Sequence, residues 1–157
     1  MKIFKLRTVT SLILIVMIAS GIVVTKVYSH CQIPCGIYDD DARLKEIAEH
    51  ITTIEKGMKQ IEELSKAEPQ NMNQIVRWVN NKEDHASQLN EIVTFYFMAQ
   101  RIKPTEPDSA DYQKYIEQLT LLHKMQVTSM KCKQTTDLAN VEQLRDFLHE
   151  FSHAYGE

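Results

Sequence analysis

From residue 44 onward the chain alternates apolar and polar positions with the period of a helix. Leu44, Ile47, Ile51, Ile54, Met58, Ile61 and Leu64 fall three or four apart, the spacing that lays one apolar stripe along an amphipathic helix. Asp39-Asp40-Asp41 puts acid at its start, where the helix dipole favours negative charge and an aspartate can cap free N–H groups. Glu68-Pro69 closes it. A second stripe runs through Met72, Ile75/Val76, Val79, Ala86, Leu89, Ile92/Val93 and Tyr96, with a polar gap from Asn80 to Asp84, and stops before the prolines at 104 and 107. Tyr112, Tyr115/Ile116, Leu119, Leu122, Met125 and Met130 mark a third helix. Leu138, Val141, Leu144, Leu148, Phe151 and Tyr155 mark a fourth, with Asp137 as its cap. Four such stripes joined by short links predict an all-α fold, an up-and-down antiparallel four-helix bundle whose shared core buries them together. Most of the aromatic and apolar surplus beside the stripes, at Trp78, Phe95, Phe97 and Met98, is expected in that core.

The first 29 residues follow another rule. A basic start (Lys2, Lys5, Arg7) precedes an apolar run from Leu12 through Val24, and Val27-x-Ser29 puts small residues where a signal peptidase cuts. Residues 1–29 are therefore expected to be a cleaved leader, or a membrane anchor if retained, and the rest of the chain to lie outside the cytoplasm: periplasmic, secreted or in an organelle lumen. The leader holds four basic residues and no acid, so of the chain's 18 basic and 21 acidic residues the remainder keeps 14 and 21, a net charge of −7. That balance argues against nucleic acid as a partner. Membrane contact is expected only through the leader, whose removal calls for a processing protease.

The stripes themselves carry no chemistry. His50, His123, His149 and His153 lack the Glu-x-x-His pairs of di-iron bundles. His149 and His153 could share a metal four residues apart, but with no carboxylate motif on another helix they read as surface residues. Cys132, between Lys131 and Lys133, reads as a solitary thiol near a helix end. The informative segment is residues 30–38, His-Cys-Gln-Ile-Pro-Cys-Gly-Ile-Tyr. A cut before His30 would expose an α-amine and an imidazole, followed at once by the amide and thiolate of Cys31; Cys35 adds a thiolate across a turn that Pro34 and Gly36 can form. A tetragonal N/S set is what Ni(II) or Cu(II) prefers, whereas structural zinc wants four side-chain ligands.

These nine residues resemble the N-terminal hook of the nickel superoxide dismutase family, His-Cys-x-x-Pro-Cys-Gly-x-Tyr, at all six of its fixed positions. The resemblance implies one nickel ion per subunit, bound by the amine of His30, the amide and thiolate of Cys31 and the thiolate of Cys35, with the His30 imidazole as axial ligand. It implies that superoxide is converted to dioxygen and hydrogen peroxide by Ni(II)/Ni(III) cycling, with catalytic roles for His30, Cys31, Cys35 and Tyr38, the last screening or positioning the anion. It implies an irregular metal-binding hook over residues 30–41, a bundle over 42–157, an antioxidant role and assembly as a homohexamer. In the family a Glu and an Arg steady the axial imidazole. Counting without a gap puts Glu46 at the Glu position, while a one-residue shift would put Lys45 there; Arg77 aligns with one family Arg, and His85 stands where the other is expected. Arg43 and Lys45 could draw the anion locally against the net −7. The competing reading is an exported helical-bundle binding or sensor module, without enzymatic activity, in which Cys31 and Cys35 form a disulfide.

Overall fold

The computed structural model describes residues 34–156; the leader, His30, Cys31 and Gln32 lie outside the described residues. Asp39 caps the first helix as its type and place suggest, its carboxylate accepting a hydrogen bond from the Ala42 amide at 3.0 Å. Helix α1 then runs Asp40–Lys66. Asn71 caps α2 in the same way, through the Gln74 amide, and α2 covers Met72–Glu91. The chain continues as a π-helical stretch, Ile92–Arg101, whose wide turn ends with the Ile102 amide bonded to the Phe97 carbonyl five residues back. Helices α3, Tyr112–Gln134, and α4, Ala139–Gly156, complete the described chain. It is all-helical with four helices and no strand among the described residues, a helical bundle.

Neighbouring helices meet in reversed order along the sequence. His50 faces His85 and Gly57 faces Lys82 between α1 and α2; Ala86 faces Ser129 and Thr94 faces Gln126 further on. The core gathers Ile47, Ile51, Ile54 and Met58 of α1 with Leu89, Val93, Phe97, Leu122, Met125, Leu144 and Phe151, all fully buried. Tight packing between α1 and α2 depends on Gly57, since a Cβ there would stand 3.1 Å from Lys82 Cβ.

Three expectations need correction. Met130, placed on the third stripe, is 54% exposed, because the buried line of α3 passes through Ser129 and Cys132 instead. Ser129 satisfies its hydroxyl on the Ala86 carbonyl at 2.9 Å, which lets a polar residue take the inward position. The start of the second stripe, Met72 and Val76, is exposed, as is Phe95 among the aromatic surplus. The polar gap in α2 hides a core residue: Lys82 is 3% exposed, and its ammonium donates to the carbonyls of Cys132 at 2.8 Å, Lys133 at 2.6 Å and Thr135 at 3.3 Å. Those are the orphan acceptors at the end of α3, which the helix cannot satisfy alone. Burial draws the Lys82 pKa below its ordinary value. Lys82→Met, which keeps the stem and removes the donor, is expected to lower unfolding stability by about 2 kcal/mol in a urea titration, the cost of leaving buried acceptors unmet.

Candidate functional site

The segment ahead of α1 turns at Gly36, whose φ of 79° lies in the left-handed region that an L side chain enters only with strain. Cys35 and Ile37 on either side are exposed. Tyr38 is 38% exposed, its ring placed by two neighbours. The Arg101 guanidinium carbon lies 4.5 Å from the Tyr38 ring centroid, and Tyr96 meets it edge-on at 5.8 Å.

Both neighbours are held by one carboxylate. Asp40 Oδ1 accepts from the Tyr96 hydroxyl at 2.6 Å and from Arg101 Nε at 2.8 Å; Oδ2 accepts from Arg101 Nη2 at 2.6 Å and from the Tyr155 hydroxyl at 2.8 Å. Arg101 Nε also donates to the Tyr155 oxygen at 3.1 Å. The start of α1, the end of the π-helical stretch and the end of α4 are thereby tied at one point, directly beneath Tyr38. Burial acts to raise the Asp40 pKa, but hydrogen bonds from Arg101, Tyr96 and Tyr155 outweigh it and hold the carboxyl below its ordinary value. Burial, then the bond to Asp40, pushes the Tyr96 phenol up to about 12, and the same causes raise Tyr155. Both phenols are thus donors at neutral pH, and the carboxylate is ionised.

Along α1 the polar line continues. Arg43 lies over the Tyr96 ring at 5.4 Å and pairs with Glu46. One turn on, His50 is buried, with its Nδ1 2.8 Å from His85 Nδ1. Burial, then the neighbouring His85, lowers the His50 pKa against the pull of Glu46 and Glu49. His50 Nε2 is buried with no partner. The tautomer in which His50 Nδ1–H donates to His85 leaves a lone pair there rather than an N–H.

Of the residues singled out from the sequence, Cys35 and Tyr38 are described at the foot of α1. Glu46 and His85 lie on the same flank, each engaged by a neighbour. Arg77 stands apart: eight residues before His85, it is about 12 Å further along α2 and lines a surface hollow with Trp78 and Asp84. His30 and Cys31 lie outside the described residues. Asp40, Tyr96, Arg101 and Tyr155 were not singled out for the site. Asp40 reads as a helix-start acid and the two tyrosines as stripe members, and no spacing in the sequence joins the four residues.

Among the described residues no helix is long and apolar enough to cross a membrane, and no three His, Cys, Asp or Glu side chains converge as a metal cluster. No match to the chain is found among curated proteins or among solved structures. A family model described as nickel-containing superoxide dismutase matches residues 25–157.

Proposed function

The chain belongs to the nickel-containing superoxide dismutase family, and from that premise we propose that its metal centre is built from His30, Cys31 and Cys35, with Tyr38 beside it. Membership makes the protein an oxidoreductase that converts superoxide to dioxygen and hydrogen peroxide, with nickel as its cofactor. The observation that carries the reading is that match, which spans residues 30–38 and the helices together.

The donor set suits the ion. An α-amine, an amide nitrogen, two thiolates and an imidazole are N/S donors of the kind that suit nickel, and Cys35, beside left-handed Gly36, is exposed. Bound there, nickel supplies the one-electron couple that dismutation needs. The His30 amine and the Cys31 amide would hold the ion from the backbone, and the thiolates of Cys31 and Cys35 from the side chains. The His30 imidazole would be a further donor, which Glu46 and His85 would steady. Tyr38 screens the approach of the anion, and the Arg101 face and Asp40 clamp keep its ring from swinging away. Arg43 and the exposed Lys45 supply positive charge near the site in a body of net −7.

An α-amine ligand requires a cut before His30. Residues 1–29 are accordingly the leader removed by a processing protease, 30–41 the nickel hook, and 42–157 an up-and-down antiparallel bundle, exported and assembled as a homohexamer with one nickel per subunit. Intact-mass spectrometry of the native protein under metal-retaining conditions is expected to give a chain beginning at His30 plus one nickel, and that species is expected to dismutate superoxide. A mass retaining residues 1–29, or one lacking nickel and lighter by two hydrogens, would overturn the assignment of the centre.

A further inference from the structure

His149 and His153 take no part in the site above. They stand one turn apart on α4, a spacing that puts both rings on one face, and both are exposed. Their Nε2 atoms are 3.2 Å apart, with ring centroids 4.5 Å apart and planes at 70°. Two imidazole nitrogens bind one ion at about 2.05 Å each, and at their 3.2 Å separation they subtend about 100° at it, between the square-planar and tetrahedral angles.

We propose that His149 and His153 form a second metal site, a two-imidazole clip for a divalent late transition ion such as nickel, copper or zinc. No third His, Cys, Asp or Glu joins the pair among the described residues, so water completes the coordination and the ion exchanges readily. That makes the clip a capture site and not a reaction centre. Its surroundings leave the two nitrogens to the metal: Arg145, one turn earlier, is drawn away to Glu55. His149 lines a groove with Leu44 and Lys45 of α1 and Ser152 of α4, and Tyr155, two residues beyond His153, bonds Asp40. The clip therefore lies toward the end of the bundle where α1 begins.

The inference uses α4 alone and is independent of the centre proposed at His30. Titrating the full-length protein with Zn(II) is expected to shift the ring C–H proton resonances of His149 and His153 while leaving those of exposed His123 in place. Equilibrium dialysis of the nickel-loaded protein against Ni(II) is expected to add a second equivalent. His149→Ala and His153→Ala should each weaken that uptake by about tenfold or more, the least that losing even an outer partner of a metal ligand costs, while dismutation by the loaded protein is unchanged. Unmoved resonances at saturating zinc, which is the result for a plain hydrogen bond between the two rings, would overturn the clip. So would second-equivalent uptake that survives in both variants.

Discussion

Cys31→Ser and Cys35→Ser are each expected to abolish nickel binding and superoxide turnover together. A serine hydroxyl does not ionise near neutral pH and is a hard donor, whereas the N/S set needs two soft thiolates to hold the ion and pull its couple into a working range. Cys35 is exposed and lies outside the core. The Cys35 variant should therefore keep its helical circular dichroism spectrum, while metal analysis reads zero nickel. Full activity in either variant would remove the thiolates from the centre. Cys132 offers no substitute: it is fully buried, and burial pushes its thiol up to about 11, so it remains protonated and out of reach of a metal.

Asp40→Asn should cost about 3 kcal/mol of stability at neutral pH, the loss expected when one partner of a half-buried, multiply hydrogen-bonded charge pair is neutralised. The amide cannot replace the carboxylate. Three groups donate toward Asp40, and an Asn nitrogen turned toward any of them sets donor against donor. The pH dependence separates this clamp from ordinary packing. The folded carboxyl has a pKa below its ordinary 3.8, so its contribution is complete above that value and is lost as pH falls through the folded one. Thermal melts should accordingly show the gap between parent and variant begin to close as pH drops below about 4, where the unfolded carboxyl takes up its proton, and vanish as pH falls through the lower folded pKa. A gap that stays constant to pH 2 would mean that Asp40 acts by shape alone. Tyr38 rests on Arg101, so turnover is expected to fall in this variant as well, by far less than the loss of a thiolate.

The helices were legible because their cause is local. A residue three or four positions from another shares its helix face whatever the rest of the chain does, so Ile47, Ile51, Ile54 and Met58 declared the core side of α1, and Leu144 and Phe151 that of α4. Caps at Asp39 and Asn71 are equally local, each reaching an amide three residues on. The misplacements at Met130 and at Lys82 share one origin. Ser129 and Lys82 are buried because acceptors on another helix receive them, the Ala86 carbonyl for one and the end of α3 for the other, and no property of residue type announces a partner 43 or 50 positions away.

The chain's residues alone determined a helical protein and a nine-residue cluster of amine, thiol, imidazole and phenol groups beginning at His30, whose chemistry points to a nickel-type ion. Only the tertiary structure decided what Tyr38 rests on. In an α-helix Tyr96 and Arg101, five residues apart, would point about 140° away from each other. The π-helical stretch has hydrogen bonds that span five residues, and it brings the two side chains into line. They then converge on a carboxylate 56 and 61 positions earlier, joined by a tyrosine 115 positions beyond it. Periodicity carries information over a few turns of one helix; a hydrogen-bonded charge cluster forms wherever packing brings its members within 3 Å, and that depends on how all four helices are stacked.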